Sequence, residues 1–476
     1  MKKWIILCFM LLMVSVTACS QKSKSLDVTN PQKEQEDEMD LSGNLLGTPK
    51  PSELPGKDIN IPTNTPSIGE LNKDDNLGKD KNEQGIKAGE DKAEDSENPD
   101  KNKVSSSTEV IKKGTKGWVS EDKTEVCIDD DGTILSMKIK EGEVYITGFV
   151  TESVGELIIP ESVESYPVTV IDEYAFYNTS ITKLVLPEGL KVIKGRAFKK
   201  CYKLSEINFP ASLEVIEQSA FGICPALETM TLPKENKHYT ITDGVLYTKD
   251  KNTLVKYPTG SEEKEYTVLK SVTRIAEGAF SLAKNLRNVV LSEKLTIIEN
   301  EAFSGCIQLS IDLTPNITKI GDYAFSDCYS ITELRLPDSL TQLGEGAFSA
   351  CEKLESVIIP KKVTRIPFAA FASDTSLTEV VFLGSTTTIE DMSFSTCQSL
   401  TYIDIPTGTI HIGDMAFYAC TNLTEITIPD TTVSFGNDIF GETSNIVIVA
   451  LKNSMAETYA KENGFDYQEA VMDIIE

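Results

Sequence analysis

The stretch AFSACEKLESVIIPKKVTRIPFA, residues 347–369, decides the fold because versions of it recur along the chain. Its Ala-Phe pair stands at Ala175-Phe176, Ala197-Phe198, Ala220-Phe221, Ala279-Phe280, Ala302-Phe303, Ala324-Phe325, Ala347-Phe348, Ala370-Phe371 and Ala416-Phe417. Weaker copies are Ser393-Phe394 and Ile439-Phe440. Neighbouring phenylalanines are 22 or 23 residues apart, with one gap of 59. A fixed period of this size is typical of a solenoid, in which each repeat stacks only on its neighbours.

The middle of each repeat predicts a short strand with one buried face. Val357 and Ile359 alternate with outward residues, and Pro360 ends the run because proline cannot donate to a ladder. The V-x-x-I piece that follows, with the Ala-Phe turn, spaces its apolar residues by three and four. That spacing predicts irregular or short helical structure on the other side. One repeat buries too little to offset its ordering entropy, so stability must be collective.

The pattern resembles the BspA-like class of bacterial leucine-rich repeats, over roughly Val144 to Gln468. The resemblance implies an α/β solenoid, a leucine-rich repeat superhelix of 22–23-residue repeats. A curved parallel β-sheet would line one side, and short helical or irregular segments the convex side. Proline follows the strand here, where ordinary leucine-rich repeats have Asn or Cys, so no asparagine ladder is expected.

The first 19 residues predict an export signal: basic Lys2 and Lys3, an apolar run, then Val16-Thr17-Ala18-Cys19. The apolar run is too short to span a membrane. Its end resembles the lipobox of bacterial lipoproteins, which implies that Cys19 carries a lipid anchor; an ordinary secretory signal is the alternative. Residues 20–117 contain few large apolar side chains, which predicts a disordered acidic and polar tether.

The rest divides into three predicted parts: capping strands over 118–174, repeats over 175–450, and a C-terminal cap over 451–476. The 59-residue gap is one period plus about 36 further residues. Alternation around Asp243-Gly244 predicts a β-hairpin insertion near 234–268. In the cap, a short helix is expected to end at Asn463-Gly464.

Seven of the ten cysteines follow a repeat phenylalanine by three residues: Cys201, Cys224, Cys306, Cys328, Cys351, Cys397 and Cys420. Elsewhere Thr179, Ala283 or Asp374 fills this slot, which indicates a small, semi-buried position. Free structural thiols are therefore expected, with disulfides as the alternative for an exported protein.

The sequence offers little for catalysis or metal binding. It has two histidines, no C-x-x-C pair and no recognisable catalytic motif. We therefore expect the protein to have no enzymatic activity and to bind no cofactor or metal ion. A hydrolase that uses a pair of carboxylates is the remote alternative. The net charge of −27 argues against binding to nucleic acid or to an anionic membrane surface, so we expect membrane contact through the lipid anchor only. We also expect the protein to be monomeric.

The outward residues of the strands form the candidate binding surface. Ile358, Val381 and Tyr402 give an apolar centre, although β-branched residues also simply favour strands. The full candidate set is Glu333, Arg335, Ile358, Glu379, Val381, Tyr402, Asp404 and Glu425. BspA-like proteins are generally associated with adhesion. The resemblance therefore implies an exported, lipid-anchored cell-surface protein that binds a protein ligand on a host or bacterial surface. The alternative is a module that binds glycans or cell wall.

Overall fold

The computed structural model describes residues 117–129, 131–151 and 155–470. Within them the chain winds into a β-solenoid of about 14 turns, with parallel sheets and very little helix. The predicted signal, the lipobox Cys19, all but the last residue of the predicted tether, and residues 471–476 lie outside the described part.

One side of the solenoid, here called the strand face, is built from the L-x-x-I-x-I segments. Neighbouring strands pair in parallel one repeat apart, as in Glu206↔Lys183 and Val357↔Leu334. These strands are Gly155–Ile158, Ile181–Val185, Glu206–Asn208, Thr229–Thr231, Glu265–Thr267, Asn288–Val290, Glu333–Arg335, Ser356–Ile359, Glu379–Phe382, Tyr402–Asp404, Glu425–Thr427, Val447–Ala450 and Asp466–Glu469.

The opposite side carries a second parallel ladder, so the expectation of irregular or short helical structure is wrong for the V-x-x-I pieces, whereas the Ala-Phe segments form irregular turns. The V-x-x-I pieces form two-residue strands: Val192–Ile193, Val215–Ile216, Arg274–Ile275, Ile297–Ile298, Lys319–Ile320, Gln342–Leu343, Arg365–Ile366, Thr388–Ile389, His411–Ile412 and Ser434–Phe435. Threonine hydroxyls reinforce it, since Thr296 Oγ1 donates to the Thr273 carbonyl at 3.0 Å. The only α-helix in the described ranges is Met455–Asn463.

Strands also close the first repeat. They are Glu125–Cys127, Ile134–Lys140, Glu143–Thr151, Ser162–Val163 and Tyr166–Ile171. Tyr166–Ile171 pairs in parallel with Val192–Ile193 and so joins them to the second ladder. At the other end the helix begins after Ser454, whose side chain accepts the Glu457 N–H, and it ends at left-handed Gly464.

The phenylalanines form a stacked column inside the turns on each side of the insertion, and they are buried as the sequence predicts. Phe325 is fully buried between Phe303 and Phe348, with ring centroids 5.1 and 5.2 Å apart and rings nearly parallel. The backbone follows the same spacing, because the Phe325 N–H donates to the Ala347 carbonyl of the next repeat at 2.8 Å. Ring packing and hydrogen bonding therefore both join neighbouring repeats.

The cysteine slot lies beside this column and serves packing. The Cys328 thiol donates to the Phe303 carbonyl of the previous repeat at 3.3 Å, and the other six repeat cysteines make the same contact. Buried free thiols are present at Cys224, Cys306, Cys328, Cys351, Cys397 and Cys420. Burial raises the pKa of Cys224 and of Cys306 to about 12, which leaves these thiols protonated and unreactive.

The 59-residue gap contains an antiparallel hairpin, Tyr239–Thr242 with Val245–Thr248, and a third strand, Thr253–Lys256. Asp243 and Gly244 both have positive φ in the hairpin turn. The third strand leads into Tyr257, whose N–H donates to the Ala279 carbonyl at 3.0 Å and whose ring stacks on Phe280 at 5.0 Å. Tyr257 therefore occupies a phenylalanine position of the column, and Lys256 stands in the place of its alanine.

Candidate interaction surface

Five of the eight candidate residues lie in register on one three-stranded sheet. We call a row of residues paired across neighbouring strands a rung. Glu333 and Glu379 flank Ser356 on one rung. Two residues further along each strand, the next outward rung consists of Arg335, Ile358 and Val381. Because alternate residues point to opposite faces, this register brings the two rungs to the same outward side, and Val357 and Ile359 are buried beneath.

Tyr402, Asp404 and Glu425 belong to a different sheet. Tyr402 lies opposite Glu425. In the part of the chain that the structure describes, the ladder stops after Glu379–Phe382 and starts again at Tyr402–Asp404. The candidate surface therefore follows consecutive repeats but crosses a break between two ladders.

The apolar centre of this surface is partly covered. Tyr402 is 50% exposed, whereas Ile358 and Val381 are half-buried. The same outward rung holds Val290, which is 52% exposed, in an earlier strand. Exposure of an aliphatic side chain on this rung is thus not confined to the candidate surface.

The charges of the candidate surface differ from those at the N-terminal end of the same face. There Lys183 pairs with Glu156 at 3.3 Å and with Glu206 at 3.6 Å. Between residues 155 and 470, by contrast, no ion pair involves the charged candidates, which are Glu333, Arg335, Glu379, Asp404 and Glu425. Glu333, Glu379 and Glu425 are exposed and make no ion pair with any residue in this range, so the surface presents negative charge to a partner.

Lys256 is a distinctive side chain that the sequence reasoning missed. It is 3% exposed and its Nζ donates to the Gly278 carbonyl at 2.9 Å, and burial lowers its pKa to about 8. Lys199 and Glu301, 102 residues apart in sequence, form an ion pair at 2.8 Å in the adjoining turns. The 23-residue spacing back from Phe280 to Tyr257 could have placed Lys256 in an alanine slot.

Asp374 is the outlier of the cysteine slot. It is fully buried, and its Oδ1 accepts the Cys351 N–H at 2.8 Å. Within the described residues its Oδ2 has no hydrogen-bond partner, and burial raises the pKa of the carboxyl well above its usual range.

The described ranges contain neither a metal-binding cluster nor a membrane-spanning helix. No group of three or more His, Cys, Asp and Glu side chains there is placed to hold a metal ion. Nor is any helix within those ranges long and apolar enough to cross a membrane.

Comparison with known families explains the repeat. The model of the BspA type leucine-rich repeat region matches residues 169–265, 259–378 and 364–470. The chain belongs to this family. No curated protein matches it.

Several solved structures are similar to this chain. A leucine-rich repeat protein from Bacteroides ovatus is 24% identical, with 71% of this chain and 98% of that chain covered and a TM-score of 0.39. A leucine-rich repeat protein from Eubacterium ventriosum is 20% identical, with 66% of this chain and 93% of that chain covered and a TM-score of 0.43. A leucine rich cell surface protein from Faecalibacterium prausnitzii is 20% identical, with 71% of this chain and 97% of that chain covered and a TM-score of 0.38.

Proposed function

We propose that this member of the BspA-type family is a non-enzymatic adhesin, held at the bacterial cell surface by a lipid on Cys19. Its strand face binds a protein on a host or bacterial surface. In this proposal residues 20–117 are the tether, residues 118–174 and 451–476 cap the solenoid, and the strand face is its concave side.

The observation that supports this function best is the register of the outward rungs. Arg335, Ile358 and Val381 stand side by side, and the neighbouring rung holds Glu333 and Glu379, which make no ion pair among the described residues. An interface of this kind has a partly apolar centre and a polar rim, and a few central side chains carry most of its binding energy. Tyr402 is the exposed aromatic of the set, and tyrosine is enriched among such energetically dominant residues.

The test begins with capture of surface proteins from host and bacterial cells on the full-length protein, followed by affinity measurement with the recovered partner. The double variant Ile358→Asp, Tyr402→Ala should lower affinity by about 30-fold or more, the effect of losing roughly 2 kcal/mol at a central contact. Val290→Asp is the matched control, since it places the same charge on the same rung outside the candidate surface.

Unchanged affinity in the double variant, or equal losses in the double variant and the control, would exclude this surface. The anchor is tested separately by metabolic labelling with radioactive palmitate. Label should be incorporated into the wild-type protein and absent from Cys19→Ser, and labelling of both proteins alike would contradict the anchor.

A further inference from the structure

The turn of the second repeat is basic, although the chain as a whole is acidic. Residues 194–203 contain no acidic side chain and five cations, which are Lys194, Arg196, Lys199, Lys200 and Lys203. The equivalent residues 321–330 contain two aspartates and no cation, and the net charge of the chain is −27. Since salt screens exposed charges beyond about 8 Å at physiological ionic strength, this turn can attract an anionic group despite the acidic remainder of the solenoid.

Three exposed tyrosines lie on this turn and on the turn before it. Tyr174 is 48% exposed, and Tyr177 and Tyr202 are each 39% exposed. The rings of Tyr174 and Tyr177 meet edge to face, with their centroids 5.7 Å apart. Among the exposed tyrosines of the described ranges, Tyr402 alone lies elsewhere. Exposed aromatic side chains that cluster on a soluble domain indicate an interaction site.

Two cations lie over these rings and connect the tyrosines into one surface. The guanidinium carbon of Arg196 lies 5.7 Å from the ring centroid of Tyr174, and Lys200 Nζ lies 5.7 Å from that of Tyr177. Interaction with the Tyr177 hydroxyl raises the pKa of Lys200, and Tyr202 adds to this effect, so the ammonium lies close to both tyrosines. We name this surface the basic tyrosine patch, and it consists of Tyr174, Tyr177, Arg196, Lys200 and Tyr202.

The cations of the basic tyrosine patch are only partly neutralised. Arg196 pairs with the exposed Glu173 at 3.5 Å, and exposed ion pairs of this kind contribute little. Lys200 makes no ion pair in the part of the chain that the structure describes. Glu301 also acts on Lys200, but its carboxylate is held by Lys199 at 2.8 Å. The tyrosine rings help to hold the guanidinium and the ammonium in place, so the patch presents two positioned cations to an anionic ligand.

We propose that the basic tyrosine patch binds an acidic glycan whose sugar units carry carboxylates. One face of a pyranose ring presents C–H groups, and their partial positive charge is attracted to the electron-rich face of a tyrosine ring. Within the described ranges no cation lies over the ring of Tyr202, so this ring is open to a sugar. A carboxylate on the same sugar unit can then pair with Lys200, and Arg196 offers a bidentate donor to a further carboxylate.

A sugar that carries an acid fits the patch better than either a neutral sugar or an acidic peptide. A neutral glycan makes the ring contact but leaves both cations without a partner. A chain of glutamates makes ion pairs but leaves the tyrosine rings uncovered. The patch lies outside the candidate surface of the strand face, so it adds a second ligand class to the proposed function.

The test is isothermal titration calorimetry of the full-length protein with oligosaccharides of hyaluronan and of polysialic acid at physiological ionic strength. Both glycans carry carboxylates, and reduction of the carboxyl groups to alcohols gives matched neutral ligands. We expect saturable binding of at least one of the two acidic glycans and none of its reduced form. An oligoglutamate peptide should bind at least about tenfold more weakly than that glycan, because it lacks the ring contact.

Lys200→Gln and Tyr202→Ala should each weaken glycan binding about tenfold, since each removes one of the two contacts with the same sugar unit. Tyr329→Ala is the control for the ring, because Tyr329 follows Cys328 as Tyr202 follows Cys201. Lys353→Gln is the control for the charge, because it removes one exposed cation on a later repeat. Both controls should bind the glycan like the wild type.

Absence of binding by both acidic glycans would overturn the proposal. So would equal binding of a glycan and its reduced form, equal or tighter binding of oligoglutamate, or equal losses in the patch variants and their controls. Binding that either patch variant leaves intact would also contradict it. The strand-face variant Ile358→Asp should leave glycan binding unchanged, so failure of this proposal and failure of the adhesin proposal are distinguishable.

Discussion

The phenylalanine column and the strand face obey opposite rules. Along the column the same residue type recurs, and an inner ring such as Phe325 is buried between two neighbours. Along the strand face one rung changes from Glu333 to Ser356 to Glu379 in three consecutive repeats. Because a solenoid is stabilised by interfaces between adjacent repeats, the column sets stability. The outward rungs are free to vary, and recognition can therefore differ along the molecule.

Truncating the column should have the largest effect. Phe325→Ala removes a fully buried ring that stacks on both sides, and such changes cost about 3–5 kcal/mol. Urea denaturation followed by circular dichroism measures the loss. Tyr202→Ala removes a partly exposed ring outside the column and should cost far less. Equal losses in the two variants would mean that the column has no special role.

Lys256 tests the column where it departs from the repeat. Its pKa is lowered from 10.5 to about 8 in the folded protein, so the unfolded chain binds more protons between these values. Stability should therefore rise with pH over this window and be lost as pH falls through 8, with a span on the order of 3 kcal/mol.

Lys256→Met keeps a side chain of similar length without the charge, so the rise of folding stability with pH should disappear in this variant. Denaturation midpoints of both proteins between pH 7 and 10.5 give the comparison. The exposed Lys203→Met is the control, and its pH dependence should follow that of the wild type. If Lys256→Met retained the rise, the amine would not be its source.

Replacing Asp374, which fills a cysteine slot beside the phenylalanine column, should stabilise the protein. The raised pKa of its carboxyl means that its favourable contribution is complete in acid and is lost as pH rises. Asp374→Cys restores the residue of the equivalent slots and should stabilise the protein at pH 7 by about 1–3 kcal/mol. The advantage should shrink toward pH 4, as thermal unfolding at both pH values would reveal. A destabilised variant at pH 7 would show that the carboxylate is well accommodated.

The strand face should give the smallest change in stability. Glu333→Gln with Glu425→Gln alters exposed groups that make no ion pair in the described residues, so stability should stay within about 0.5 kcal/mol. The same urea experiment applies. A change of more than about 1 kcal/mol in the free energy of unfolding would mean that these glutamates stabilise the solenoid.

Sequence reasoning located the column and the face because their residues recur in fixed register. Phe348, Cys351 and Val357 are buried as their spacing predicts, and the family assignment follows from the same repeat. The second ladder was missed because a two-residue strand such as Ile297–Ile298 is too short to reveal a period of two.

The candidate surface was predictable only in part. Register placed Arg335 beside Ile358, but the break before Tyr402 depends on backbone hydrogen bonds that no residue spacing reports. Lys256 was missed for a related reason, because the Lys256-Tyr257 pair does not resemble the Ala-Phe pairs of the neighbouring repeats.

The central claim, recognition of a protein by the non-repeating strand face, can be tested before any partner is known. A photo-cross-linking phenylalanine analogue is placed at Ile358 in one protein and at the matched position Val290 in another, and both are irradiated on intact host and bacterial cells. We expect a discrete, protease-sensitive adduct from position 358 and none from position 290. Adducts of equal intensity at both positions, or none at 358, would contradict the claim.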